Sequence, residues 1–144
     1  MEYDPNEALK LKNQLCFPLY AAARKTVGAY TPFLKPLGLT YTQYILFLVL
    51  WEEDNLTVSE ICERLILDSG TVTPLLKKLE ARGYLRRERC ECDERCVKVA
   101  LTDEGRALKN DAAEIPLKVG SCMALPPEKA QQLYEILHMI IDAD

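Results

Sequence analysis

The sequence LDSGTVTPLLKKLEAR, residues 67–82, decides the fold of this chain. Its apolar side chains recur at positions i, i+3, i+4 and i+7, which is the spacing of one buried stripe on a helix. They are Val72, Leu75, Leu76 and Leu79. The other face begins with small polar residues, which permit close approach to another surface. Such a helix can rest on a core with one face and enter a DNA major groove with the other.

The residues on either side of this stretch complete a DNA-binding fold. A capping box at residues 57–60 predicts a short helix that turns directly into the quoted stretch. After it, alternation of apolar and polar residues predicts strands over residues 84–89 and 96–101, joined by a polar turn over residues 90–95. Two helices with a tight turn between them, followed by a basic β-hairpin, make a winged helix-turn-helix.

More helices are predicted before this region. A helical pattern runs over residues 8–29 and is interrupted near residues 14–17, because Pro18 fits the first turn of a helix better than its interior. We therefore expect Cys16 close to the start of the second segment. Residues 41–53 predict a helix that is apolar on nearly every side and is consequently buried all round.

The C-terminal part predicts two further helices. Thr102 caps the first, which is expected to run to about Cys122 with a kink at Pro116. The second starts at Pro126 and carries one apolar stripe. The members of that stripe are Leu133, Ile136, Leu137, Ile140 and Ile141.

The expected fold class is mainly α with a small β-wing. A winged helix-turn-helix region over residues 39–101 is flanked by N- and C-terminal dimerisation helices over residues 8–38 and 102–144. A two-fold homodimer would hold two copies of the 67–82 helix about one DNA turn apart, which suits a palindromic site.

Composition and charge limit the function. Of the 144 residues, 49% are hydrophobic, which is enough for one domain with its own core. The sequence contains no run of roughly 18 apolar residues, which a membrane span would need. The acidic N-terminus is unlike a signal segment, so we expect a cytoplasmic protein. The net charge is −4, yet residues 69–100 hold eight bases and five acids, a net +3 that leaves −7 elsewhere. Such a local basic surface suits contact with phosphates.

The sequence resembles the MarR family of dimeric winged-helix regulators, through residues 67–80, 83–85, 93–95 and 101–105. The resemblance implies a homodimer that binds a pseudo-palindromic operator in double-stranded DNA. It implies DNA contacts from Asp68, Ser69, Thr71, Thr73, Lys77 and the wing-tip Arg95. Charge and position add Lys78 and Arg86 as phosphate contacts. The alternative is that the arginines of the hairpin form a solvated strand face.

Within this family the chain is similar to the organic-hydroperoxide sensors of the OhrR type. Residues 11–17 and 39–44, together with Tyr30, carry this closer resemblance. It implies a repressor that leaves DNA when Cys16 is oxidised, with Tyr30 and Tyr41 hydrogen-bonded to the reactive sulfur. Apolar surroundings would suit an organic hydroperoxide better than hydrogen peroxide. The alternative is that Cys16 is an ordinary buried cysteine on an apolar stripe.

Cys122 is a second point of resemblance, because some members of the subfamily carry a resolving cysteine at the matching place. There it bonds the sensing cysteine of the other subunit after a hydroperoxide has oxidised that cysteine to a sulfenic acid. A disulfide needs Cα atoms within about 7 Å, so helices further apart have to move, and the recognition helices with them. The alternative is that Cys122 has no redox role.

Three cysteines in the predicted hairpin, Cys90, Cys92 and Cys96, depart from the family. Their C-x-C-x3-C spacing offers three thiolates, whereas structural zinc generally takes four ligands, with C-x2-4-C spacing. We therefore predict strand-end cysteines and no metal site. Cys62 lies on the inward face of its helix and is expected to pack there.

The sequence thus predicts a peroxide-responsive repressor that is not an enzyme and needs no cofactor. Three other functions stay open: a MarR-like repressor released by a small ligand, a metal-responsive repressor that uses the hairpin cysteines, and a thiol peroxidase. The peroxidase is disfavoured because no acid, base or arginine set accompanies Cys16.

Overall fold

The stretch quoted above forms helix α5 (Ser69–Ala81), and its apolar stripe faces the core as predicted, with Leu75 half-buried. Val72, Leu76 and Leu79 are each 0% exposed. Asp68 is the N-cap and accepts a hydrogen bond from the Thr71 backbone N–H at 2.9 Å. The side chain of an N-cap residue satisfies one of the free N–H groups of the first turn, which explains where the helix begins.

The computed structural model describes residues 4–91, 93–123 and 125–143, without the side chains of Glu94, Cys122 and Met123. These residues are mostly helical, with one small sheet. In chain order the elements are α1 (Pro5–Ala8), α2 (Cys16–Leu34), α3 (Tyr41–Glu52), β1 (Leu56–Thr57), α4 (Val58–Leu65), α5 (Ser69–Ala81), β2 (Leu85–Cys90), β3 (Asp93–Leu101), α6 (Asp103–Ala112), α7 (Ile115–Met123) and α8 (Pro127–Ile141). Short 3₁₀ turns occupy Leu11–Asn13 and Lys35–Leu37.

The winged helix is built around α3, which begins at a capping box formed by Thr40 and Gln43. Most of this helix is buried, as its apolar composition predicted, and Leu48 is its one exposed large apolar residue. Helices α4 and α5 pack on it, and a second capping box at Thr57 opens α4. The helix-turn-helix and its mainly α, winged architecture are therefore confirmed.

The sheet is antiparallel, in the order β1–β3–β2. The hairpin of β2 and β3 is the wing, and β3 begins three residues before the predicted start at residue 96. Strand β1 was not predicted, because two residues carry no alternation and depend on pairing with Val99 and Lys98 of β3. Through β1, the wing is thus anchored to the core between the end of α3 and the start of α4.

Two predicted helix boundaries differ from the structure. Helix α2 starts at Cys16, as expected, but continues past residue 29 to Leu34 and accommodates Pro32 in its last turn. The single helix expected after Thr102 is two helices, since α6 ends at Ala112 and α7 starts at Ile115. Pro116 therefore lies in a first turn, where its missing N–H costs nothing, rather than at a kink.

Helices α2 and α8 expose apolar side chains to solvent in the single chain. On α8 the predicted stripe is exposed except for the half-buried Leu137, and Met139 beside it is 75% exposed. Among the described residues no single helix is long and apolar enough to cross a membrane. Only Cys16–Leu37 and Tyr41–Glu52 taken together reach that length and composition, across a bend of 77°.

Replacement of Gly105 by Ala tests the joint between the wing and α6. A Cβ atom at this position would lie 2.0 Å from the Tyr84 carbonyl oxygen, so the backbone has to shift. We expect Gly105→Ala to lower the free energy of unfolding by about 2 kcal/mol, the usual cost of overpacking. The matched control is Gly28→Ala on α2, where a Cβ meets nothing within 4 Å. Chemical denaturation should leave the control unchanged or slightly more stable, and equal stability of both variants would contradict the prediction.

Candidate DNA interface and redox site

One face of α5 presents the polar residues that the sequence assigned to DNA. Ser69, Thr71, Lys77 and Lys78 are exposed, and Thr73 is half-buried. They lie on the side of the helix opposite to the buried stripe. The first turns therefore carry hydroxyl groups and the later turns carry two cations, an arrangement that can serve base edges and phosphates respectively.

Asp68 has a specific structural partner in Thr71. One carboxylate oxygen accepts from the Thr71 backbone N–H, and the other accepts from the Thr71 hydroxyl, each at 2.9 Å. These bonds, the hydroxyl bond first, hold the pKa of Asp68 below its usual range. The capping carboxylate therefore orients the Thr71 hydroxyl, and the hydroxyl oxygen keeps acceptor capacity for a ligand.

The wing supplies the predicted arginines. Arg86 on β2 and Arg95 near the start of β3 are both exposed. The Arg95 backbone N–H donates to the Asp93 carboxylate at 2.9 Å, which shapes the backbone at the tip of the hairpin. Both arginine side chains are therefore accessible from solvent on the wing.

Arg87, which the charge pattern grouped with these arginines, has another role. Its side chain donates twice to one carboxylate oxygen of Glu80, at 2.9 and 2.6 Å, and its backbone N–H donates to the other at 2.9 Å. The Arg87 side chain is the main cause of a lowered pKa of Glu80. The pair is half-buried and ties the wing strand to the end of α5.

Cys16 is the first residue of α2 and is exposed. Its N-cap, Leu15, provides no side-chain hydrogen bond to the first turn. In the single chain Cys16 does not pack in the hydrophobic core. Tyr30 lies fourteen residues further along the same helix, about 21 Å away at 1.5 Å per residue. The single chain does not bring Cys16 and the predicted tyrosines together.

The two tyrosines themselves do meet, and a third joins them. The ring of Tyr30 lies 4.9 Å from that of Tyr41 and 5.6 Å from that of Tyr44, between ring centres. Burial, and then the neighbouring phenols, raises the pKa of both Tyr41 and Tyr44. Their hydroxyl groups consequently stay protonated near neutral pH and remain hydrogen-bond donors. The predicted burial of the helix over residues 41–53 is confirmed at Tyr44, but the apolar composition of this helix does not reveal which aromatic ring faces α2.

A shallow cleft of about 370 Å³ adjoins this tyrosine cluster. Most of its surface is apolar, and it lies between the end of α2 and the start of α3. Its lining residues are Val27, Thr31, Leu34, Lys35, Gly38, Leu39, Thr40 and Tyr41. The cleft therefore offers an apolar surface within reach of a tyrosine hydroxyl.

The remaining cysteines differ in burial and in bonding. Cys62 is half-buried against the core, and burial raises the pKa of its thiol, in agreement with the predicted packing role. Cys90 and Cys96 are joined by a disulfide across the wing, a pairing that was not predicted. Cys92 and the side chain of Cys122 lie outside the described residues. Within the described ranges, no group of three or more His, Cys, Asp or Glu could hold a metal ion.

Comparison with known proteins identifies the relatives of this chain. The profile of a family described as "Transcriptional regulator SarA/Rot" matches residues 29–112. The "Organic hydroperoxide resistance transcriptional regulator" of Bacillus subtilis is 43% identical over 134 residues, which cover 93% of this chain and 91% of that protein.

Two solved structures of AbfR from Staphylococcus epidermidis align over nearly the whole chain. Reduced AbfR bound to DNA is 37% identical, with a TM-score of 0.78 and coverage of 95% of both chains. Disulfide-formed AbfR is also 37% identical and covers 94% of this chain and 96% of its own, with a TM-score of 0.66. The described chain therefore aligns better with the reduced, DNA-bound form of that relative.

The ion pair of Glu80 and Arg87 predicts a pH-dependent contribution to stability. Since the folded-state pKa of Glu80 is lowered, this contribution is full above the ordinary pKa of a glutamate and is lost as the pH falls through the folded-state value. We expect Glu80→Gln to lower the free energy of unfolding by about 1 kcal/mol near neutral pH. The difference from wild type should shrink below about pH 4.

The matched control for this measurement is Glu88→Gln, which neutralises an exposed glutamate on β2. Denaturation midpoints of the three proteins should be compared across the acidic range. A pH-independent loss in Glu80→Gln, or an equal loss in Glu88→Gln, would argue against a specific ion pair.

Proposed function

We propose a function from one premise: the chain belongs to the SarA/Rot family of MarR-type winged-helix transcriptional regulators. The proposed function is that of a homodimeric, cytoplasmic repressor that binds a pseudo-palindromic operator and releases it when an organic hydroperoxide oxidises Cys16. The observation that carries it is the position of Cys16. It is exposed at the start of α2, on a chain whose α5 and wing present a DNA-binding face.

The uncovered apolar surface supports the homodimer. Side chains such as Leu15 (79% exposed) and Met139 (75% exposed) face solvent on the N- and C-terminal parts of the chain. Many exposed large apolar side chains are unusual for a soluble monomer, and a second copy can cover them. The segments outside the winged helix are thereby assigned to dimerisation.

A dimer also completes the proposed sensing site. Cys16 cannot reach Tyr30 or Tyr41 of its own chain, so the partner's tyrosines are the ones that can donate to its sulfur. They are suited to the task because Tyr41 stays protonated near neutral pH. The adjoining apolar cleft can bury the hydrocarbon part of an organic hydroperoxide, which hydrogen peroxide lacks.

The proposed reaction is stoichiometric. The Cys16 thiolate attacks the terminal peroxide oxygen, the O–O bond breaks, and the alkoxide leaves as the alcohol after it takes up a proton. The sulfenic acid that results is attacked by a second thiolate, and water leaves as the disulfide forms. We assign this second thiol to Cys122 of the other subunit. The positive end of the α2 dipole is a favourable site for the anionic sulfur.

The proposed output is the position of the two α5 helices. A disulfide across the dimer interface pulls the helices that carry Cys16 and Cys122 together and moves the DNA-binding elements away from groove spacing. The relative AbfR supports this step, because the chain aligns with its DNA-bound and disulfide forms to different extents. In the DNA-bound state we assign base contacts to Ser69, Thr71 and Thr73. Phosphate or groove contacts are assigned to Lys77, Lys78, Arg86 and Arg95.

Replacement of Cys16 by Ser tests the sensor. A fluorescent duplex, selected from random sequences by the reduced protein, should be released from wild type by one equivalent of cumene hydroperoxide, as fluorescence anisotropy reports. Cys16→Ser should bind the duplex and keep it, because no sulfenic acid forms. Non-reducing electrophoresis should show a covalent dimer in wild type and none in Cys16→Ser or Cys122→Ser.

The matched control is Cys62→Ser, which removes a packed thiol outside the proposed site and should respond like wild type. Release of DNA from Cys16→Ser by the peroxide would contradict the proposal. Release by a small ligand without oxidation would favour a ligand-controlled regulator instead.

Replacement of Arg95 by Ala tests the wing contact. Loss of one guanidinium from the DNA backbone or minor groove should weaken binding across all duplex sequences, by about 1–3 kcal/mol, and lower the salt dependence by about one unit of slope. Anisotropy titrations at several salt concentrations measure both quantities. Lys129→Ala on α8 is the control, since this exposed cation lies outside the proposed DNA face. Equal effects of the two substitutions would argue for a general charge effect.

A further inference from the structure

The end of the wing hairpin brings two cysteines, Cys90 and Cys96, close together. Strands β2 and β3 pair Leu85 with Leu101 and continue regularly as far as Arg89 with Val97. After this pair the register shifts, and Cys90 pairs with Asp93. The Cα atoms of Cys90 and Cys96 lie 5.4 Å apart, within the range of a disulfide, and the structure records the bridge.

We propose that Cys90 and Cys96 form a second redox site, a reversible dithiol–disulfide pair within one subunit, which is oxidised by low-molecular-weight disulfides and strengthens DNA binding when oxidised. The site is separate from Cys16 and goes beyond the peroxide response. Its effect on DNA rests on the proposed function, whereas formation of the bridge does not.

The surroundings of the pair allow a small oxidant to reach it. Both cysteines are half-buried near the end of the hairpin rather than enclosed in the core. Cys96 also lines a surface cleft of about 240 Å³ between β3 and the start of α4. We therefore assign the first step to Cys96.

The reaction is a thiol–disulfide exchange. The Cys96 thiolate attacks one sulfur of the small disulfide, a mixed disulfide forms, and one small thiolate leaves. The Cys90 thiolate then attacks the Cys96 sulfur and expels the second small thiolate. The protein loses two electrons and two protons, and the small disulfide takes them up as two thiols. A thiol reductant reverses both steps.

The position of the pair links it to DNA. The two cysteines are separated by six positions in sequence, and Arg95 lies between them. The bridge closes this segment into a ring, so the unbound wing samples fewer conformations. A contact that is ordered before binding loses less conformational entropy on binding, which raises affinity.

The test uses the full-length chain with Cys16→Ser and Cys122→Ser, which leaves four cysteines. After reduction, the protein is exposed to glutathione disulfide, its free thiols are alkylated, and its peptides are analysed by mass spectrometry. We expect Cys90 and Cys96 to be linked and unalkylated, with Cys62 alkylated. A further Cys92→Ser substitution is the matched control and should leave the bridge intact, whereas Cys90→Ser should abolish it.

Anisotropy with the selected duplex gives the second readout. The oxidised protein should bind roughly three-fold more tightly than the reduced one, and the Cys90→Ser version should show no redox difference. A bridge that involves Cys92, a stable glutathione adduct, or metal that protects the reduced thiols would overturn the proposed pair. An unchanged affinity of the bridged protein overturns its effect on DNA. If neither redox form binds any duplex, the proposed function fails while the mass-mapped bridge stands.

Discussion

The continuous helix α2 imposes the constraint on which the proposed mechanism depends. It carries Cys16 at one end and Tyr30 fourteen residues later, a separation of about 21 Å that side chains of one subunit cannot close. A sensor that uses both groups therefore has to be assembled from two copies. The same requirement accounts for the apolar side chains that the single chain leaves exposed on its terminal helices. In the proposed mechanism, the association of two subunits therefore both covers the apolar surface and completes the sensing site.

Side-chain contacts connect this helix to the DNA-binding elements. Arg82, the C-cap of α5, donates to the Gly38 carbonyl at 2.6 Å and to the Leu37 carbonyl at 3.2 Å, in the turn that follows α2. At the other side, Arg87 ties the wing to Glu80 of α5. Helix α2, the recognition helix and the wing are therefore joined by cationic groups with well-defined partners, and a displacement of α2 is expected to move the other two together.

The sequence predicted those parts of the fold that local interactions determine. The capping box at Thr57 and the stripe of α5 depend on residues within one or two turns, and the structure confirms them. Strand β1 and the partner of Arg87 depend on residues distant in sequence, so no local pattern indicates them. The same distinction applies to the candidate site. The position of Cys16 at a helix start could be predicted from local sequence, whereas the tyrosine cluster forms only when α2 packs on α3.

The wing cysteines illustrate why spacing alone can mislead. C-x-C-x3-C suggests a metal site or unrelated strand ends when the exact strand limits are unknown. The register shifts after Arg89, so only the folded hairpin shows that the Cα atoms of Cys90 and Cys96 lie 5.4 Å apart. The two proposed redox sites then differ in the part of the protein that each disulfide changes. In the proposed mechanism the bridge from Cys16 spans two subunits and changes the distance between recognition helices, whereas the bridge within one hairpin acts on the wing alone. Opposite effects on DNA binding are therefore compatible within one dimer.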